Sequence, residues 1–128
     1  MWVFYGFYNA RMFYQNDVGK FKKLCSMKHK LREAGIRIVG RVSLLDVKEF
    51  LQSSDFNFYP SAFPETSNLS VVECVHAGVH CFINQNGATK ETLKVVLGPQ
   101  FDSIVTVPTD KTKYEPQDQK KWINALEK

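Results

Sequence analysis

Apolar residues along the chain recur in two rhythms, short blocks of alternating or continuous character and longer stretches spaced by three and four. Trp2 to Phe7, aromatic and β-branched, predicts a first strand. Asp17 is the expected N-cap of a helix reaching about Ala34. Leu24, Met27, Leu31 and Ala34 stand at helical spacing along it, and Gly35 is suited to stop it. Ile36 to Val39 predicts a short strand. Ser43, with Asp46 three residues on as in a capping box, opens a second helix whose inner stripe is Val47, Phe50 and Leu51.

Phe56 to Tyr59 predicts the next strand, which runs into the turn Tyr59-Pro60-Ser61-Ala62-Phe63-Pro64. A helix begins after this turn and ends at Gly78, and Val79 to Ile83 predicts a further strand. Asn86-Gly87-Ala88 marks a turn before a helix from Thr89 to about Val96, broken by Gly98-Pro99. Ser103 to Val107 reads as a final strand. Pro116, preset for a first helical turn, opens a last helix carrying Trp122, Ile123 and Leu126. Strands that alternate with helices predict βαβ units. The expected class is therefore α/β, a Rossmann-like parallel sheet flanked by helices. No repeat, low-complexity tract or linker divides the chain, so residues 1–128 are expected to form one domain.

Composition adds little to that class but removes alternatives. Hydrophobic residues make up 44% and charged residues 23%, an ordinary globular balance. No apolar run approaches the roughly 18 residues a membrane-spanning helix needs, and Met1-Trp-Val-Phe-Tyr-Gly has no basic stretch or small-residue cleavage site. No transmembrane segment and no signal peptide are expected, and the expected location is cytoplasmic. Cys25, Cys74 and Cys81 are odd in number, lack motif spacing and sit in apolar contexts, so each reads as a buried free thiol. The net charge of +4 owes much to Lys20, Lys22, Lys23, Lys28, Lys30 and Arg32 in one predicted helix. Without a nucleic-acid motif these read as a solvated outer face, and no nucleic-acid partner is expected. His29, His76 and His80 lack metal-site spacing, since Gly78 breaks the helix between the last two. No Walker loop, G-x-G-x-x-G or nucleophile elbow occurs, which disfavours NTP hydrolysis, dinucleotide redox chemistry and serine hydrolysis.

The chemistry concentrates in Asp55-Phe-Asn-Phe-Tyr-Pro-Ser-Ala-Phe-Pro-Glu65-Thr-Ser-Asn-Leu-Ser-Val-Val-Glu73-Cys-Val-His-Ala-Gly78. A strand ends, a turn follows, and two carboxylates flank the start of a helix. In open α/β sheets ligands settle outside the carboxyl ends of the strands, and a helix N-terminus offers unpaired N–H groups to an anion. Such a rim suits a phosphate on the backbone and hydroxyls on the glutamates, as in a nucleotide sugar. Taken alone, Glu65 is also readable as a loop carboxylate near a helix N-terminus, worth roughly 0.3–1 kcal/mol, and Glu73 as an exposed helix position.

The spacing Glu65-x7-Glu73, preceded by Tyr59-Pro60-Ser61 and followed by Ala77-Gly78, resembles the E-x7-E signature of retaining glycosyltransferases of family four. Gly40-Arg41-Val42-Ser43 resembles the strand-turn before that signature, and Gly87-Ala88-x-x-Glu91-Thr92 the later glycine turn and glutamate. The resemblance spans roughly Ile36 to Leu97. It implies the C-terminal, donor-binding half of a GT-B enzyme, without its N-terminal acceptor domain. The implied reaction is sugar transfer from a nucleoside diphosphate sugar to a hydroxyl acceptor with retention, needing no metal and no cofactor beyond that substrate. Glu65 would be the catalytic-site residue, meeting hydroxyls of the transferred sugar. Thr66, Ser67, Asn68 and Leu69 would offer backbone N–H groups to the diphosphate, Glu73 would hold the ribose, and Gly87 and Glu91 would edge the pocket. Implied partners are the nucleotide sugar and a separate acceptor-binding domain or chain. The alternative is a non-catalytic binding or scaffold module. Ser67 and Asn68 point to it, because the family usually places an aromatic residue and a glycine there.

Overall fold

The computed structural model describes residues 2–3, 16–40, 42–61, 63–84, 87–109 and 116–127. These belong to two compact units, Met1–Val47 and Lys48–Lys128. In the first, β1 (Trp2–Val3) pairs in parallel with β2 (Arg37–Ile38). The predicted continuation of β1 to Phe7 lies outside the described residues. Between them α1 (Val18–Glu33) starts where the Asp17 carboxylate accepts from the Lys20 N–H at 3.0 Å. Gly35 follows its end at φ +78, a left-handed conformation that costs a glycine little. The inner stripe is narrower than its spacing predicts. Leu24 and Leu31 are half-buried, Ala34 is exposed, and Met27 is 50% exposed. Cys25 is exposed rather than buried, because one residue advances a helix by about 100°, off the stripe that Leu24 and Leu31 occupy.

Helix α2 (Leu44–Gln52) begins with the expected reciprocal cap. The Asp46 N–H donates to Ser43 Oγ at 3.1 Å, and the Ser43 N–H and hydroxyl donate to Asp46 Oδ2 at 3.0 and 2.6 Å. The second unit is built on a three-stranded parallel sheet in the order β3 (Phe56–Tyr59), β4 (His80–Asn84), β5 (Val105–Thr109). Its helices are α3 (Leu69–His76), α4 (Thr89–Leu97), the short α5 (Phe101–Ile104) and α6 (Pro116–Leu126), with a 3₁₀ turn at Gly98–Gln100. The α/β class with a parallel sheet flanked by helices is therefore as the alternation of elements predicts. The last strand is shifted by two residues from Ser103–Val107 to Val105–Thr109: Ser103 and Ile104 lie in a helical turn. The Ser103 hydroxyl donates to the Gln100 carbonyl at 2.7 Å, a local bond that competes with strand pairing.

Strand alternation sorts the sheet into two faces. On one, Cys81 and Ile83 of β4 and Val105 of β5 meet Val71, Cys74 and Val75 of α3, Leu93 of α4 and Phe101 of α5. Tyr59 packs against the edge of this core. Cys74 and Cys81 are buried free thiols, as expected. A hydrogen bond to Cys74 and burial hold the Cys81 thiol well above its ordinary pKa, so it stays a protonated core group. The opposite face is aromatic. Phe82 lies between Phe56 at 6.1 Å and Phe58 at 6.5 Å, and Phe58 meets Trp122 of α6 at 4.8 Å in an edge contact. Trp122 and Asp118 are buried in α6, at 5% and 0% exposure, whereas Ile123 and Leu126, at 46% and 45%, are exposed.

Candidate functional site

The carboxyl edge of the β3–β4–β5 sheet is tied together by polar side chains. Asn84, at the end of β4 and almost wholly buried, donates through Nδ2 to the Ser61 carbonyl at 3.1 Å. Its Oδ1 accepts from the Thr109 hydroxyl at the end of β5, at 2.9 Å. The β4–β5 register shifts between Phe82 and Asn84, bringing Thr109 opposite Asn84. The shift coincides with Pro108, which has no N–H for the ladder and is tolerated on an edge strand. The three strand ends are thereby held as one rim, and the loop leaving β3 is anchored at Ser61.

That loop carries Glu65, and both its backbone and its side chain are held. Glu65 and Gly87 form a parallel bridge, and the Ala88 N–H donates to the Glu65 carbonyl at 2.8 Å. Gly87, at φ +71, lies so close that a Cβ there would collide with the Glu65 carbonyl oxygen and stand 2.7 Å from its nitrogen. Only glycine fits, because both the conformation and the approach exclude a side chain. The half-buried Glu65 carboxylate accepts from the Tyr59 hydroxyl, Oη to Oε1, at 2.8 Å. Burial first, and the bond to Glu65 second, raise the Tyr59 phenol above its ordinary pKa, while the Ser61 and Asn68 side chains pull more weakly the other way. The hydroxyl therefore remains a donor at physiological pH.

Helix α3 starts four residues after Glu65. Asn68 is its N-cap at φ +47, a left-handed conformation that asparagine tolerates better than most residues. Its Oδ1 accepts from the Ser70 hydroxyl at 3.0 Å and from the Val71 N–H at 3.4 Å. Those two donors fix the amide, which is 7% exposed, and its Nδ2 has no hydrogen-bond partner among the described residues. The cap does not use the Leu69 and Ser70 N–H groups, which remain first-turn donors. Thr66 is exposed and Ser67 half-buried, and Leu69 is 70% exposed.

The remaining site candidates stand apart. Glu73 lies in the second turn of α3 on its exposed side, between the buried Val71 and Cys74–Val75, and has no side-chain hydrogen bond or ion pair among the described residues. Glu91 is exposed in the first turn of α4, where an acidic residue complements the helix dipole. The structure thus brings Glu65, Gly87 and Asn68 together around Tyr59, and leaves Glu73 and Glu91 as solvated carboxylates. Sequence reasoning did not single out Asn84 and Thr109, nor the bond from Tyr59 to Glu65. A polar residue closing the apolar run Cys81-Phe-Ile is the one signal for Asn84 in the sequence.

Other chemistry is locally satisfied. His80 Nε2 lies 2.9 Å from the Thr106 hydroxyl on the aromatic face, and His76 Nδ1 lies 3.0 Å from the Val72 carbonyl one turn back. Among the described residues no group of three or more His, Cys, Asp or Glu is placed to hold a metal, and no helix is long and apolar enough to cross a membrane. No protein-family model, curated protein or solved structure matches this chain.

Proposed function

We propose that the second unit is a nucleotide-sugar-binding module, the donor half of a retaining glycosyltransferase whose acceptor is presented by a separate domain or chain. One observation carries this reading: a carboxylate secured from two sides, by Tyr59 and by the Gly87–Ala88 turn, at the carboxyl edge of a parallel sheet immediately before a helix N-terminus. A fixed carboxylate next to first-turn N–H groups that the Asn68 cap does not use suits a ligand with hydroxyls at one end and a diphosphate at the other. In this reading Glu65 accepts from hydroxyls of the transferred sugar, the backbone of Thr66 to Leu69 meets the diphosphate, Glu73 takes the ribose hydroxyls, and Gly87 and Glu91 edge the pocket. Because reacting groups in such enzymes meet between two domains, positioning by the partner dominates the rate.

Calorimetric titration of the protein with UDP, GDP and ADP tests the proposal. Saturable binding of one of them, abolished by Glu73→Ala, is the expected result. Lack of affinity for all three overturns it. A second reading, a scaffold that keeps this architecture without ligand, is favoured by the solvated position of Glu73 and by the Asn68 side chain that already fills the α3 cap. It requires that Glu73→Ala change neither binding nor stability.

A further inference from the structure

We infer that Tyr59 is the positioning residue of Glu65: its hydroxyl occupies Oε1, fixes the plane of the carboxylate and leaves Oε2 to accept a sugar hydroxyl of the ligand. This rests on the nucleotide-sugar reading of the site and refines it, because it assigns recognition of the sugar, as distinct from the nucleotide, to the Tyr59–Glu65 pair. A glutamate at the tip of a loop has three side-chain torsions to lose on binding, so an unrestrained carboxylate recognises a hydroxyl weakly. Here two devices remove that freedom beforehand. The Gly87 approach and the Ala88 N–H pin the Glu65 backbone, and the 2.8 Å phenol bond pins the end of the side chain. Tyr59 is itself rigid, since it lies in β3 opposite Ile83 of β4 and packs against the core. Oε2 has no protein partner among the described residues, so the acceptor capacity of a charged oxygen is left to whatever enters.

The assignment predicts a split between two ligands that differ only in the sugar. Wild-type protein and Tyr59→Phe are titrated calorimetrically with UDP, GDP and ADP and with the glucose conjugate of each. For the nucleotide that binds, Tyr59→Phe should weaken the glucose conjugate by about fivefold to tenfold, the loss of one charge-assisted contact, and leave the bare diphosphate within about twofold. Equal loss for both ligands, or none, overturns the positioning role while leaving the nucleotide site standing. A wild-type protein that binds no nucleotide removes the underlying reading and this refinement with it. An independent readout needs no ligand. Alkaline titration of tyrosinate absorbance, with the Tyr59 contribution isolated as the difference from Tyr59→Phe, should show Tyr59 titrating late in wild type and earlier in Glu65→Gln. An unchanged late titration in Glu65→Gln also overturns the inference.

Discussion

Two carboxylates eight positions apart, Glu65 and Glu73, meet opposite fates. Glu65 sits in a loop, the kind of segment expected to be mobile, yet it is held by a phenol, a peptide bridge and a glycine that nothing else can replace. Glu73 sits in a helix, the kind of segment expected to be rigid, yet its side chain is exposed and tied to nothing among the described residues. Backbone regularity and side-chain order are thus separate properties. What immobilises a functional group is the set of contacts at its far end, and the β3–α3 loop has them.

The sharpest way to break this contrast is Gly87→Ala. The added methyl meets the Glu65 carbonyl oxygen and nitrogen and must also adopt φ +71, so the Glu65–Gly87 bridge has to open. A destabilisation of roughly 2–4 kcal/mol is expected, read as a fall in the urea unfolding midpoint. A loss under about 1 kcal/mol, the size of an ordinary surface change, would mean that the bridge is not what holds Glu65.

A smaller effect should appear with pH. The Tyr59 phenol is raised in the folded protein by burial and by Glu65, so folding favours its neutral form. The associated stability is fully present below the ordinary tyrosine pKa of about 10, and is lost as pH rises from there through the raised folded value. Urea midpoints of wild type should therefore fall more steeply than those of Tyr59→Phe as pH is taken above about 10. Parallel curves would show that the phenol and Glu65 are not coupled.

The smallest effect belongs to the other carboxylate. Glu73→Ala and Glu91→Ala should each change folding stability by no more than about 0.5 kcal/mol, as exposed substitutions do. A larger loss on Glu73→Ala would show that it too is structurally engaged, and would erase the contrast with Glu65.

Local signals were legible in the chain wherever a short-range interaction decides the outcome. Ser43 and Asp46 cap each other, Gly35 and Gly78 stop helices at positive φ, and Phe56 to Tyr59 is a strand with the expected ends. Ser103 misled because its β-branched neighbours pattern like a strand, while its hydroxyl prefers the Gln100 carbonyl three residues back. Cys25 misled because apolar neighbours in sequence are not neighbours in space on a helix; the next residue round faces water. At the site, the residue types were readable but not their connections. Tyr59 reaches Glu65 only because β3 points it over the loop, and Asn84 finds Thr109 only because the β4–β5 register shifts near Pro108.

By itself, then, the amino-acid order determined the alternation of strands and helices, the helix caps, the glycine stops and the placing of two glutamates around one helix entrance. These depend on contacts within a few residues, where propensity and hydrogen-bonding capacity act directly. Tertiary structure alone decided which of those glutamates is immobilised, that Gly87 admits no side chain, and that Asn84 joins three strand ends. Apart from the Tyr59–Glu65 bond, which spans six residues, those outcomes depend on residues some 20 or more positions apart being brought together by strand register, which no local pattern encodes.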